Sequence, residues 1–324
     1  MSGSMRAVVL SGPGPVENLA LAELPVPQPP PGWVRVKVGA FGLNRSELHT
    51  RLGLAEGVTF PRVPGIEAVG VVDSDCDLPP GQQVAAMMGG MGRVFDGGYA
   101  EYTAVPRELL IPFTSDLPWE VLGAVPETLQ TAYGSLTTGL DLRAGQSLLI
   151  RGGTSALGFA TAALANDIGA TVLATTRRAD RLDVLREHGV AHPLVDDGAV
   201  AGRVRELFPD GVDAALELVG TPTLPDTLAA TRVHGTVCFT GMLSNEWTVP
   251  DFYPIGYLPK GVRLTAYGGE SSDLPPEVLQ RFLDQVAAGE VSLGPTSVYR
   301  LDGIRQAHDD LEHGRRVGKL VVLP

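Results

Sequence analysis

Two hydrophobic periods alternate along this chain, and the place where one gives way to the other divides it. The run MRAVVL, residues 5–10, is a short apolar segment closed by a Gly/Pro turn at 12–15, which predicts a first strand. After the proline-rich PVPQPPPG, residues 33–38 alternate cleanly, valines on one side and Arg35 and Lys37 on the other, as in an antiparallel strand with one wet face. Residues 44–52 predict a short helix and FPRVPGIEAVGVV a return to strand. Residues 83–87 and 98–105 predict further strands between Gly and Pro turns. Short strands punctuated in this way describe a compact, turn-rich β domain. From 119 to 140 the apolar spacing becomes helical, which marks a crossing into different architecture. Beyond it strands and helices alternate. Strands are expected at 148–150, 171–174, near Leu194, and at 212–219, 236–240 and 262–267, with helices at 155–168, 179–188, 200–208 and 224–232. That alternation predicts a doubly wound parallel sheet of about six strands with the first near the centre. From about Leu274 an amphipathic helix and two strands, VYRL and GKLVVLP, are expected to complete the β domain.

Composition narrows the partners. A chain of 324 residues suits two domains, and its net charge of −12 argues against nucleic acid or an anionic membrane surface as partner. Cys76 and Cys238, the only two cysteines, form no C-x-x-C and supply neither a disulfide framework nor a cysteine-rich zinc site. No run approaches the ~18 apolar residues of a membrane span, and residues 1–6 lack the pattern of a signal peptide, so a cytoplasmic protein is expected.

Chemistry enters at SLLIRGGTSALGFATAALANDIGATVLATTRR, residues 147–178, which reads strand, tight turn, helix, strand. This unit holds a dinucleotide pyrophosphate on the helix N-terminus. Gly153 lets the chain leave the strand sharply, and Gly158 lets the helix lie close to the sheet. The middle position is Ser155 in place of the usual Gly, and its hydroxyl can cap the helix or reach a phosphate oxygen. The end of the next strand reads Thr175, Thr176, Arg177, Arg178, with no carboxylate before Asp180. Hydroxyls followed by guanidinium groups suit a ribose 2′-phosphate and so NADP(H), the competing reading being an ordinary solvated loop.

Read together, these motifs resemble the medium-chain dehydrogenase/reductase superfamily, specifically its zinc-free quinone oxidoreductase branch. FGLNRSEL resembles the branch's GLNxxD segment, PGIEAVGVV its PGxExxGxV, and GGYAEY its Gly-Tyr-Ala-Glu turn. LQTAYGSL is similar to its interdomain helix, IRGGTSALG to its nucleotide loop and AHDDLEHGRRVGKLVV to its terminal segment. The resemblance implies an α/β fold: a GroES-like β domain from residues 1–120 and 262–324, a doubly wound Rossmann NADP-binding domain over 121–261, and an active site in the cleft. The superfamily's zinc alcohol dehydrogenases have a Cys where this chain has Asn44 and a His where it has Ile66. An amide and an isoleucine cannot complete a catalytic zinc shell. Glu67 survives without that His, and no metal is expected.

By the same resemblance, Asn44 lies beside the nicotinamide and Ser46 falls where the zinc enzymes have their proton-relay hydroxyl. His49 matches a tyrosine at the substrate mouth, a solvent-exposed helix residue being an equal reading. Tyr133 approaches the nicotinamide or packs between domains. Arg45 stands where the branch often has Pro. The resemblance gives the pyrophosphate to Gly152, Gly153, Thr154, Ser155, Ala156, Leu157 and Gly158, and the 2′-phosphate to Thr176, Arg177 and Arg181. Val219, Gly220, Gly241, Met242, Leu243, Tyr267 and Gly268 line the remaining cofactor. The aromatic segment SNEWTVPDFYPIGYLP either walls a flat acceptor or buries a dimer contact, and a homodimer is expected. The expected reaction is hydride transfer from NADPH to a quinone or α,β-unsaturated carbonyl, a small molecule whose developing negative charge hydrogen-bond donors can stabilise. An enoyl-thioester reductase and a non-catalytic NADPH-binding protein are the competing readings.

Overall fold

The computed structural model describes residues 3–324, so Met1 and Ser2, assigned above to the β domain, lie outside the described residues. The chain divides into two units, one reaching to Gln130 and resumed by Glu270–Pro324, the other Thr131–Gly269. The sequence reading set these borders at 120/121 and 261/262. Residues 126–130 stay with the first unit because the Glu127 N–H donates to Glu67 at 3.0 Å and the Gln130 amide to the Glu270 carbonyl at 3.1 Å.

The first unit opens with an antiparallel hairpin of β1 (Ser4–Leu10) and β2 (Leu19–Pro25). The sequence reading passed over β2, an exposed ribbon in which only Leu19 is buried. Then come β3 (Trp33–Gly42), α1 (Arg45–Leu52), β4 (Glu67–Val72), β5 (Gln83–Met87), β6 (Tyr102–Pro106) and the short β7 (Leu110–Pro112). The helical stretch expected over 119–140 is three pieces: α2 (Trp119–Leu122), α3 (Pro126–Gly134) and a wider π turn, Ser135–Gly139. The break falls at Gly123, where a Cβ would stand 2.7 Å from Ala40 and 2.9 Å from Val321.

The second unit alternates β8 (Ser147–Arg151), α4 (Ala156–Ile168), β9 (Thr171–Thr176), α5 (Leu182–Glu187), β10 (His192–Val195) and α6 (Ala201–Leu207). It continues with β11 (Val212–Glu217), α7 (Leu224–Ala230), β12 (Thr231–Phe239), α8 (Pro254–Tyr257) and β13 (Arg263–Ala266). Its six strands are parallel in the order β10-β9-β8-β11-β12-β13. The chain winds one way from β8 through β9 and the other way through β11. The switch point beside β8 is where sheets of this kind bind ligands, beyond the strands' carboxyl ends.

Residues after 270 rejoin the first unit as α9 (Pro276–Ala287), β14 (Thr296–Arg300), α10 (Ile304–Glu312) and β15 (Lys319–Leu323). β14 pairs with β15 in parallel, and β15 pairs antiparallel with β3 at Val321 and Gly42, so the segments before and after the second unit share one sheet. Helix α10 was not foreseen as an element. Its buried residues Ile304, Ala307 and His308 pack at helical spacing beneath polar neighbours. Among the described residues no helix is long and apolar enough to cross a membrane.

Candidate functional site

In the first unit the predicted residues gather where β3 runs into α1. Asn44 is the N-cap of α1, and three residues on, Glu47 takes the N–H of Asn44 at 2.9 Å, the acidic half of a capping box. The other Glu47 oxygen takes the N–H of Ile66 at 2.7 Å and ties the helix to the start of β4. Burial, with the nearby Glu67 charge, pushes the Glu47 carboxyl up to about 7.

Beside it lies a buried polar cluster. Glu67 accepts from the Asn44 amide at 2.9 Å, the Lys319 ammonium at 2.8 Å and the Glu127 N–H at 3.0 Å. Lys319 also donates to the Asn44 amide oxygen at 2.5 Å and stands 3.7 Å from Glu127. Burial opposes the ammonium, but the carboxylates of Glu67 and Glu127 outweigh it and hold Lys319 above the ordinary lysine range. Gly42 leaves room for this cluster, since a Cβ there would run into the Lys319 chain and the Glu67 carboxylate. Asn44 is thus committed to Glu67 and Lys319, and one amide N–H remains for any other partner.

Ser46 is half-buried, and its hydroxyl accepts from Arg93 at 2.7 Å. His49 is buried, which corrects the solvent-exposed reading. Lys319, Glu47 and Arg93 went unread as site residues. For Glu47 the signal was present, an N-cap Asn followed three residues later by Glu.

In the second unit the glycine loop takes the expected form. Gly152 has φ +94°, a Cβ on Gly153 would stand 2.6 Å from Ala174, and one on Gly158 would stand 2.5 Å from the Gly153 carbonyl oxygen. Ser155 caps α4: its hydroxyl accepts from the Gly158 N–H at 3.0 Å and donates to the Gly152 carbonyl at 2.8 Å. In this arrangement the Ser155 hydroxyl serves as the helix cap. The N–H groups of Thr154, Ala156 and Leu157 have no acceptor among the described residues. Open amides on a helix N-terminus fit a pyrophosphate.

The loops after β8, β11 and β12 converge here. A Cβ on Gly152 would stand 3.0 Å from Leu243 and 3.5 Å from Val219. The N–H groups of Val219 and Gly220, however, are spent on the buried Glu217 at 2.7 and 3.1 Å, and those of Gly241 and Leu243 on backbone carbonyls. These residues can line a cofactor but not donate to it through those amides. Met242 is half-buried in the same loop and Gly268 is exposed after β13. Tyr267 packs its ring on Gly134, so its side chain is taken up by the helix. Tyr133 is half-buried with no side-chain hydrogen bond among the described residues.

At the end of β9 the hydroxyls have internal roles. Thr175 accepts from the Gly152 N–H at 3.0 Å and donates to Asp196 at 3.1 Å, and Thr176 accepts from the Arg178 N–H at 3.3 Å. Asp196 in turn pairs at 2.8 Å with Arg151, which is wholly buried and also holds Asp226 at 2.7 Å. Sequence reasoning missed Arg151, hidden at the end of an apolar strand. Arg178 is taken by Asp180, in contacts of 2.5 and 3.0 Å. Arg177 is exposed and has no side-chain partner among the described residues. Burial, together with the charges of Arg178 and Arg177 and against that of Asp180, lowers Arg181 from its ordinary value, so this end of β9 gathers several cations.

Residues 30–115 match the alcohol dehydrogenase GroES-like domain family and residues 156–284 the zinc-binding dehydrogenase family. A quinone oxidoreductase of Lama guanicoe is 28% identical over 98% of this chain and 97% of its own length. Among solved structures, a mycobacterial protein in complex with NADPH is 26% identical with a TM-score of 0.87, covering 99% of this chain and 100% of that one. An NAD-dependent alcohol dehydrogenase has the same identity, TM-score and coverage.

Proposed function

The chain belongs to the medium-chain dehydrogenase/reductase superfamily, a superfamily of nicotinamide-dependent oxidoreductases, and from that premise we propose that it is an NADPH-dependent reductase of quinones or α,β-unsaturated carbonyls that works without a metal ion. The observation that carries the cofactor choice is the uncommitted guanidinium of Arg177 beside Arg181 at the end of β9, next to a loop with three open amides. Thr154, Ala156 and Leu157 would hold the pyrophosphate, and Arg177 and Arg181 the 2′-phosphate, with paired charge-assisted hydrogen bonds. Bound NADPH supplies the hydride.

A zinc-free reaction is supported by the cluster around Asn44. Where the zinc enzymes have a thiolate ligand, this chain has an amide whose oxygen already accepts from the Lys319 ammonium. A dication at that spot would meet a cation in residence. Among the described residues no three His, Cys, Asp or Glu side chains form a metal-holding group. A conjugated acceptor suits such a site because hydride reaches its far carbon while charge develops on an oxygen. Asn44, through its remaining amide N–H, and Ser46 are the proposed donors. His49 and Tyr133 are proposed to border the acceptor.

The test is NADPH oxidation with 9,10-phenanthrenequinone and a small enone, with and without a chelator, in the wild type and in Arg177→Glu. The expected result is chelator-insensitive turnover and a KM for NADPH raised ten- to a hundredfold in the variant, with NADH little affected, since a charge-assisted phosphate contact contributes about 1.5–3 kcal/mol. Failure to bind NADPH, or equal losses for both nucleotides, would overturn the assignment.

A further inference from the structure

Between β5 and β6 the chain makes a tight excursion, residues 88–96, that holds a cation with no counter-ion among the described residues. Met88, Gly89, Gly90 and Gly92 all have left-handed backbone, with φ of 61°, 58°, 93° and 72°. Met91 is fully buried beneath them, and Gly92 lies so close to Gly65 that a Cβ would stand 2.7 Å from its backbone. The Arg93 and Val94 N–H groups both close onto the Gly90 carbonyl, at 3.1 and 2.7 Å. The turn is wedged in place, so the side chain it presents has a defined origin.

That side chain is Arg93. One Nη donates to the Ser46 hydroxyl at 2.7 Å, and Nε is buried with no acceptor. The neighbouring carboxylate, Asp96, is engaged by Arg62 at 3.0 Å and the Val63 N–H at 3.0 Å. Elsewhere in the unit Arg35, Arg51 and Arg107 each have a carboxylate. Among the described residues Arg93 has the hydroxyl alone, in a chain whose net charge is −12. A part-buried guanidinium without a counter-ion is costly, and a hydroxyl does not neutralise it. Its remaining N–H bonds form a planar fork that fits a carboxylate.

We propose that Arg93 recognises a carboxylate on the acceptor, so that the substrate class is an enone or quinone carrying an anionic group near its conjugated system. This rests on the proposed reductase function, in which Ser46 meets the acceptor. Ser46 and Arg93 then act together, the hydroxyl fixing the guanidinium and the guanidinium drawing the anion.

The test compares (E)-4-oxo-2-pentenoate with its methyl ester, one enone with and without the charge, in the NADPH-loaded protein. The wild type is expected to favour the acid over the ester at least tenfold in kcat/KM. Arg93→Met should lower that ratio at least tenfold, mainly through the KM for the acid, and Arg93→Lys should restore part of it. NADPH titration of each variant checks that it is folded. A ratio that Arg93→Met leaves unchanged, or a wild type that reduces the ester but not the acid, would overturn the proposal while leaving the reductase reading in place. A wild type that reduces quinone, acid and ester not at all would overturn the reductase reading instead. Calorimetric titration of the acid then judges Arg93 by itself: binding lost in Arg93→Met supports its role, and binding absent from the wild type or unchanged in the variant overturns it.

Discussion

At position 47 a carboxyl group is taken wholly out of water, and its two oxygens accept from two backbone N–H groups belonging to different elements. Burial raises its pKa from 4.5 to about 7, the Glu67 charge adding to the effect while the N–H bonds and Lys319 oppose it. The folded state therefore holds a proton that the unfolded chain releases near 4.5. The corresponding stability is fully present below that pH and is lost as pH rises through about 7, a difference of order 3 kcal/mol. Buried His308 works the other way. Burial lowers its pKa from 6.5 to about 3, so its contribution is present above 6.5 and lost as pH falls. Comparing Glu47→Gln with the wild type at each pH cancels the histidine. Glutamine can accept on one oxygen only, so at pH 5 the variant should be less stable by about 1–2 kcal/mol. By pH 8.5 the wild type carries an ionised buried carboxylate and the gap should close or reverse. Urea midpoints at the two pH values measure this, and a pH-independent gap would mean that Glu47 does not titrate in this range.

Helix α4 shows what an element needs from its first residue. Ser155 serves as cap and as loop tie at once, through the Gly158 N–H and the Gly152 carbonyl. The glycine usual at this position has no side chain to do either, so the departure from the fingerprint leaves the open amides in place and stiffens the turn that presents them. Ser155→Ala should weaken the first turn of α4 by about 1 kcal/mol and Ser155→Gly by a few tenths, with NADPH affinity changed less in the glycine variant. Hydrogen exchange of the α4 amides and an NADPH titration check this. Equal exchange in all three proteins would remove the cap from the account.

Elements of this kind were legible in the sequence because a local pattern specifies them. Apart from the short helix α8, which the sequence did not show, the order of strands and helices in the second unit, the extent of β5 and the site of the loop follow from periodicity and glycine spacing. Helix α10 and strand β2 were not, since two of the four residues α10 buries are the polar His308 and Asp310, which an apolar-spacing pattern does not register, and β2 buries a single leucine. Nor were Lys319 and Arg93 as site residues, because their partners lie at Glu67 and Ser46, too far along the chain for spacing to reveal.

For the molecule as a whole, the first unit is assembled from segments separated by the entire second unit. Asn44 follows β3, Glu67 begins β4, Glu127 lies in α3 and Lys319 begins β15, so the cation that neutralises the buried cluster belongs to the last strand. Until β15 docks beside β3, Glu67 has no ammonium partner, and contacts of such sequence separation are slow to form. Removing one member of a buried pair leaves an uncompensated charge and costs about 3–5 kcal/mol, whereas removing both can cost little. Lys319→Met and Glu67→Gln should therefore each destabilise strongly, and the double variant should be more stable than the sum of the two losses by about 1–3 kcal/mol. Trp33 and Trp119 report on the first unit and Trp247 on the second, so unfolding is to be followed by fluorescence together with NADPH binding. If the cluster closes the first unit alone, the single variants lower the urea midpoint while NADPH, which is proposed to contact the second unit, still binds. Additive losses would instead mean that Lys319 and Glu67 act through separate neighbours, Lys319 through Asn44 and Glu127 and Glu67 through the backbone of α3.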